Sequence, residues 1–179
     1  MIRVTTGRRP NRRGVAVLAA AMAPAAIVVA LLAATPALPR SLSETERNRE
    51  IVTEAFAAWV EGTYLFDDLL ADDIVWTIHG SDPVAGTYRS REDFVERASR
   101  PLVSRLATPI VPRVHAIWAE GDTVIVRFDG SATTTSGRPY RNQFVWIFQM
   151  EDGKAVRAEA FLDLAAYRAV VENNEPRVP

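Results

Sequence analysis

The chain has 179 residues, of which 48% are hydrophobic and 24% charged, with 21 basic residues against 22 acidic ones and no cysteine. The absence of cysteine excludes disulfides, a thiolate nucleophile and cysteine metal sites. Six basic residues and no acidic ones lie in the first forty positions, which leaves a net charge of −7 from Ser41 onward and argues against nucleic acid as a partner.

The first forty residues read as a targeting segment. Basic residues come first, an apolar run rich in Ala, Val and Leu extends from Gly14 to Ala34, and small residues surround Thr35-Pro36-Ala37. This order predicts an export signal with cleavage after Ala37. Because about twenty apolar residues also span a bilayer, an uncleaved single-pass anchor stays open. In both cases the domain is expected outside the cytoplasm, and only this segment is expected to contact the membrane.

The rest of the chain suits one globular domain at residues 41–172, followed by a polar tail at 173–179. The spacing of hydrophobic and turn residues predicts helices first and strands second. The predicted helices cover residues 43–62, 66–71, 91–106 and 164–171, and the predicted strands cover residues 74–79, 110–118, 123–133, 140–150 and 155–162. This order indicates an α+β domain, in which helices cover one face of a curved antiparallel sheet.

Several residues are expected to begin or interrupt the helices. Ser43 is the predicted N-cap of the first helix, with Glu46 at the capping-box position. Ser90 caps the third helix, in which Pro101 is expected to cause a kink or a break. Asp163 immediately precedes the last helix, so it either caps this helix or positions a ligand.

Two predicted two-residue turns, Asp152-Gly153 and Ser136-Gly137, set the expected register of the long strands. Counting from them places Trp146 opposite both Arg127 and Glu159. Aromatic and polar side chains then share one face of the sheet, namely Arg127, Asp129, Asn142, Phe144, Trp146, Glu159, Phe161 and Asp163. A bulge of one residue in any strand would exchange the two faces locally.

The opposite face is predicted to be aliphatic and edged with glutamines. It would include Val145, Ile147 and Leu162. Since a contiguous exposed apolar patch usually marks association, we expect this face to form a homodimer interface.

The mixed face is expected to line a pocket for a small apolar ligand. The candidate ligand-binding residues are Trp76, Trp118, Asn142, Phe144, Trp146, Glu159, Phe161 and Asp163. His79, at the end of the first strand, is the candidate base or pocket donor, because an imidazole titrates near neutral pH. A hydrogen bond from His79 to the following turn is the alternative. Arg127 and Asp129 either polarise a substrate oxygen or form a structural ion-pair network with Glu159.

The two histidines give no indication of a metal site. His115 is expected on the face opposite the candidate residues, and the chain contains no pair of histidines at metal-ligand spacing. We therefore expect neither a metal nor a cofactor.

The sequence from Glu44 to Tyr167 resembles the SnoaL-like branch of the nuclear transport factor 2-like superfamily. The resemblance rests on Ala71-Asp72-Asp73 before the first strand, Gly86 after the turn, Asp152-Gly153-Lys154 and the Leu162-Asp163 ending. It implies a cone formed by a curved sheet and helices, often dimeric, with a pocket at the open end that binds small, largely apolar molecules.

Two enzyme patterns of this superfamily are only partly present. In the ketosteroid isomerase pattern the position of the base falls at Ile78-His79, whereas the oxyanion donors fall near Ala55-Phe56 and Val145-Trp146. In the limonene epoxide hydrolase pattern Arg127-Phe128-Asp129 matches, but the second aspartate falls at Ala160. Two functions therefore stay open. One is isomerisation, cyclisation or hydrolysis by cofactor-free acid/base chemistry, and the other is non-catalytic ligand binding or assembly at the cell envelope.

Overall fold

The computed structural model describes residues 42–177. The predicted targeting segment at residues 1–40 lies outside the described residues, as does the end of the predicted tail. Within 42–177, the helices are all too short or too polar to cross a membrane. The described helices are α1 (Glu44–Val60), α2 (Leu65–Leu69), α3 (Arg91–Phe94), α4 (Arg100–Val103) and α5 (Leu164–Asn173), and the strands are β1 (Leu70–Ile78), β2 (Gly86–Tyr88), β3 (Val111–Glu120), β4 (Thr123–Thr133), β5 (Pro139–Glu151) and β6 (Lys154–Leu162).

The six strands form one sheet in the order β2-β1-β6-β5-β4-β3. All neighbouring strands are antiparallel except β1 and β6, which are parallel. The α+β architecture predicted from the sequence is confirmed. The short strand β2 was not predicted, because its three residues carry too little periodicity to be recognised.

Helix α1 begins with the predicted capping box. The Ser43 hydroxyl accepts a hydrogen bond from the Glu46 backbone N–H at 3.2 Å, and the Glu46 carboxylate accepts one from the Ser43 N–H at 2.9 Å. Val52 and Phe56 on this helix are buried against the sheet, where the Phe56 ring lies 5.1 Å from that of Phe128. The helix therefore covers one face of the sheet, which we call the inner face.

The predicted third helix changes its winding just before Pro101, and Pro101 itself lies in the first turn of the helix that follows. Ser90 caps α3, a π-helical turn follows at Val95–Ser99, and α4 then begins at Arg100. Because proline has no backbone N–H to donate, the regular hydrogen-bond ladder is interrupted here, and the wider turn accommodates the break.

The β5–β6 turn forms as predicted, but the register beyond it does not. Asp152 and Gly153 both have positive φ angles, 48° and 79°, as a type I′ turn requires. The pairing then shifts by one residue, since Met150 pairs with Ala155 while Gln149 pairs with Arg157. This bulge in β6 is of the kind that exchanges faces.

As a result, Trp146 lies opposite Ala160 and Phe144 lies opposite Leu162, one residue away from the predicted partners. The prediction that Glu159 and Phe161 share a face with Phe144 and Trp146 is therefore wrong.

The β4–β5 connection is one residue longer than predicted. Thr134 N–H donates to the Arg138 carbonyl at 2.8 Å, which leaves the three residues 135–137 in the loop, and Gly137 takes a positive φ of 79°. In consequence, Val126 rather than Arg127 lies opposite Trp146. The predicted placement of Arg127 and Asp129 on the face of Trp146 is wrong for this reason.

Together the two shifts determine which side chains lie on each face of the sheet. The inner face, beneath the helices, carries Val126, Phe128, Asn142, Phe144, Trp146, Phe148, Ala158, Ala160 and Leu162. The opposite side, which we call the outer face, carries Arg127, Asp129, Gln143, Val145, Ile147, Glu159 and Phe161. The predicted aliphatic face is therefore wrong in composition, because Leu162 lies on the inner face while Val145 and Ile147 lie beside charged residues on the outer one.

Candidate functional site

A cavity of about 310 Å³ lies between the inner face of the sheet and the helices. Its wall is largely aromatic and includes Trp59, Phe66, Trp76, Phe94, Phe144 and Trp146. Aliphatic side chains such as Ile78, Leu102 and Leu162 complete it. Among the described residues that line it there is no Asp, Glu, His, Lys or Arg.

The alternation of side chains along β1 and β5 brings the aromatic rings together. Trp76 on β1 stacks on Phe94 with ring centroids 4.1 Å apart, and it meets Trp146 on β5 edge to face at 5.1 Å. Trp59, near the end of α1, stacks on Trp146 at 5.9 Å. These contacts hold the rings in a fixed arrangement, because stacked and edge-to-face pairs are favourable in themselves.

The polar side chains of the cavity lie mainly toward its opening. Thr63 and Tyr64 are exposed and Ser99 is half-buried, which places these polar residues where the cavity meets solvent, near the exposed Val103. Tyr167 is buried, and its hydroxyl donates to the Ala98 carbonyl at 2.8 Å. Burial raises the pKa of both Tyr64 and Tyr167, so both phenols are neutral at pH 7.

Of the predicted aromatic ligand contacts, Trp76, Phe144 and Trp146 line the cavity. Trp118 and Phe161 do not, since they are 56% and 42% exposed on the outer face. The aromatic residues of the predicted site are therefore divided between the two faces of the sheet.

His79 also lies on the outer face. Its Nε2 is 2.8 Å from the Glu159 carboxylate, and its ring stacks on Phe161 at 4.5 Å. The preceding residue, Ile78, is the one that lines the cavity, because successive side chains of a strand point to opposite faces. The expectation that His79 reaches the pocket is therefore wrong.

Asp129 forms a second polar cluster on the outer face. Its carboxylate accepts hydrogen bonds from Arg127 at 2.7 Å and His115 at 2.8 Å, with Arg113 at 3.4 Å. The hydrogen bonds from Arg127 and then His115 hold the pKa of Asp129 at about 2. His115 was expected on the opposite face, but it is the extra residue of a bulge in β3 and turns toward Asp129.

The ion-pair interpretation of Arg127 and Asp129 fits this geometry, although the partner in the pair network is His115 and not Glu159. Within residues 42–177, no three or more His, Asp or Glu side chains form a group that could hold a metal ion.

Asn142 and Asp163 connect β5 to the beginning of α5. Asn142 is buried; its side-chain amide donates to the Tyr140 hydroxyl at 3.0 Å and to the Asp163 carbonyl at 2.9 Å. Its carbonyl oxygen accepts from the Asp163 N–H at 2.9 Å. The Asp163 carboxylate caps α5 by accepting from the Ala166 N–H at 3.1 Å, so the predicted cap is confirmed. Neither side chain lines the cavity.

The sequence did not identify the residues of the third helical segment that line the cavity. Phe94 and Leu102 lie on the apolar side of that segment, where their spacing indicates only that they are buried. Nothing local distinguishes a side chain that fills the core from one that faces a cavity, because both are apolar.

Comparison with known proteins supports this fold. A family model described as the SnoaL-like domain matches residues 52–158. A solved structure of a nuclear transport factor 2-like protein from Burkholderia thailandensis shares 27% identity, with a TM-score of 0.56, 69% of this chain covered and 95% of that one. A search of curated proteins finds no match.

Two further structures are similar in fold at lower identity. A candidate SnoaL-like polyketide cyclase from Jannaschia sp. CCS1 shares 16% identity at a TM-score of 0.56, with 76% of this chain and 99% of that chain covered. TerC, co-crystallised with polyporic acid, shares 22% identity at a TM-score of 0.55, with 71% and 99% covered. At this level of identity the likeness establishes the fold and leaves function to the site itself.

Proposed function

Because the chain belongs to the SnoaL-like domain family, within the nuclear transport factor 2-like superfamily, we propose that it binds a small, neutral, largely apolar molecule in the cavity beneath its helices. The observation that carries the proposal is the aromatic lining of a cavity of about 310 Å³. Small-molecule sites have volumes of roughly 300–1,000 Å³ and are mostly apolar. The flat faces of Trp59, Phe94 and Trp146 suit a planar or polycyclic ligand.

Binding without acid/base catalysis is the form of this function that the geometry favours. The candidate catalytic residues His79, Arg127 and Asp129 lie on the outer face, with the sheet between them and the cavity. A general acid or base must come within hydrogen-bond reach of the proton that it transfers, directly or through one water. A ligand in the cavity is therefore separated from these three side chains. That a protein of this fold, TerC, was co-crystallised with the small molecule polyporic acid is in keeping with a binding role.

A pair of matched variants tests the binding site. Val103 lines the cavity and is 37% exposed, and Val114 on β3 is also 37% exposed but lies outside it. We expect Val103→Trp to obstruct the cavity and to reduce affinity for a fluorescent apolar probe such as 1-anilinonaphthalene-8-sulfonamide by tenfold or more, whereas Val114→Trp leaves it unchanged. Thermal denaturation of both variants checks that folding is preserved. Equal affinities in the two variants would show that the probe binds elsewhere.

We also propose that the outer face forms a homodimer interface. Trp118 and Phe161 are exposed there, beside the half-buried Val145 and Ile147 and among the charged residues of that face, and exposed aromatic side chains of this size favour association. Phe161→Lys is expected to give monomers in sedimentation, while Val60→Lys, a matched change at an exposed valine of α1, leaves the assembly intact. A wild-type monomer at micromolar concentration would refute the interface.

For the segment at residues 1–40 we keep the proposal that it exports the domain or anchors it outside the cytoplasm. Its support is the sequence alone, in which basic, apolar and small residues follow one another. Mass spectrometry of the native N-terminus decides between the two forms, since cleavage after Ala37 predicts a chain that begins at Leu38.

A further inference from the structure

Gly130 lies in the middle of β4 with a backbone conformation that other residues also adopt. Six of the seven glycines within residues 42–177 have positive φ angles, whereas Gly130 does not. It pairs in register with Pro112 on β3 and with Asn142 on β5, so it does not mark a bulge. Because glycine weakens the interior of a strand, its presence at this position calls for another reason.

Two side chains of the cavity wall occupy the space beside Gly130. A Cβ atom at this position would lie 2.9 Å from Cε2 of Phe144 and 3.1 Å from Cγ2 of Ile110. Carbon atoms in contact are normally about 3.5–4.0 Å apart. An alanine at this position would therefore require the Phe144 ring to retreat by at least about 0.6 Å, and Ile110 would have to move as well.

The Phe144 ring can retreat in few directions. It stacks on Phe128 at 4.7 Å and meets Trp146 edge to face at 5.9 Å, and both of these neighbouring rings are buried. The packed interior resists such a shift, because its side chains already fill the space between the sheet and the helices. Phe144 and Ile110 both line the cavity, which is the open space that borders them. A side chain at position 130 is therefore expected to narrow the cavity.

We propose that Gly130 is a positioning residue that sets the width of the ligand that the cavity admits. Gly130 does not line the cavity; it acts through Phe144 and Ile110, which occupy the space that a side chain at position 130 would fill. This inference rests on the proposed function, since it concerns the specificity of that same cavity. A purely structural role for Gly130 would affect folding but would leave the preference between ligands unchanged.

Fluorescence titration with two probes that differ by one fused ring tests this role. 1-Aminonaphthalene has two rings, 1-aminoanthracene has three, and both are neutral at pH 7. We expect Gly130→Ala to weaken binding of 1-aminoanthracene by about tenfold more than binding of 1-aminonaphthalene, because one methylene group in an apolar pocket changes discrimination by about this factor or more. Ser131→Thr adds one methyl group to the neighbouring, exposed residue of β4 and should leave both affinities unchanged.

Phe144→Leu identifies the side chain through which Gly130 acts. Alone, it removes the ring from the cavity wall and should shift the preference toward 1-aminoanthracene. Combined with Gly130→Ala, it removes the ring that the added methyl group would meet, so the double variant should regain affinity for 1-aminoanthracene relative to Gly130→Ala. If Gly130→Ala fails to fold, the double variant should still fold. An unchanged preference in Phe144→Leu, or a double variant that also fails to fold, would overturn the inference.

The outcomes separate the two proposals. If both probes bind the wild-type protein and Gly130→Ala weakens both by the same factor, the positioning role is refuted and the binding function stands. If neither probe binds the wild-type protein, or if Val103→Trp leaves both affinities unchanged, the proposed function is refuted together with this inference.

Discussion

Replacement of Asn142 by alanine should destabilise the domain strongly, although Asn142 does not contact the cavity. The side chain makes two hydrogen bonds to the backbone of Asp163 and one to the hydroxyl of Tyr140, and its carbonyl oxygen also accepts from the Gln143 N–H at 2.7 Å. The two bonds to Asp163 contribute about 1 kcal/mol each, and leaving the buried Tyr140 hydroxyl unpaired costs about 1–3 kcal/mol more. The expected loss is therefore about 3–5 kcal/mol.

Differential scanning calorimetry or urea denaturation measures this loss directly. For a domain of this size, a loss of about 3–5 kcal/mol lowers the Tm by about 12–20 °C. Gln143→Ala is the matched control, because it removes an amide from the neighbouring, exposed position on the outer face and should change stability by less than about 0.5 kcal/mol.

A double-mutant cycle identifies the source of the effect. Tyr140→Phe removes the hydroxyl that Asn142→Ala would leave unpaired, so the double variant should be more stable than the sum of the two single losses predicts, by about 1–2 kcal/mol. Additive losses, or an Asn142→Ala variant within 1 kcal/mol of the wild type, would refute the reasoning and would reopen a ligand-binding role for this side chain.

Two further changes test the helix cap and the outer cluster. Ser43→Ala removes the capping box shared with Glu46 and should cost about 1 kcal/mol in urea denaturation; no loss would show that α1 does not depend on its cap. Arg127 and His115 lower the pKa of Asp129 to about 2 in the folded protein, below the unfolded value of about 3.9. The carboxylate therefore stabilises the fold above pH 4 and loses this effect as the pH falls toward 2. Accordingly, Asp129→Asn should lower the Tm at pH 7 and by much less at pH 2, and an equal difference at both values would contradict the ion-pair interpretation.

Local chemistry made much of the fold predictable from the sequence. The capping box at Ser43, the type I′ turn at Asp152-Gly153 and the interruption at Pro101 each depend on residues within one or two turns of chain. The alternation within β5 was also predictable, since Asn142, Phe144 and Trp146 share the inner face as their spacing indicates.

The faces of the neighbouring strands could not be obtained in the same way. An extra residue in β6 and a third residue in the loop at 135–137 each shift the pairing by one position. A shift of one residue moves every following side chain to the opposite face. For this reason the inner face carries Val126 and Ala160, whereas the predicted polar residues Arg127 and Glu159 lie outside.

These two shifts also account for the errors in the predicted site. The charged residues were expected to join the aromatic residues of β5 in one pocket, but the sheet separates them. The actual register gives a pocket lined mainly by aromatic and aliphatic side chains, without a charged one among the described lining residues, and this composition supports the proposal of a neutral ligand.

The location of a bound apolar ligand tests the proposed binding site most directly. With ¹³C-labelled methyl groups, nuclear Overhauser contacts can be measured between 2-acetylnaphthalene and the isoleucine, leucine and valine side chains. Binding in the cavity predicts contacts to Ile78, Leu102 and Leu162, which line it. Contacts confined to Val145 and Ile147, on the outer face, would contradict it.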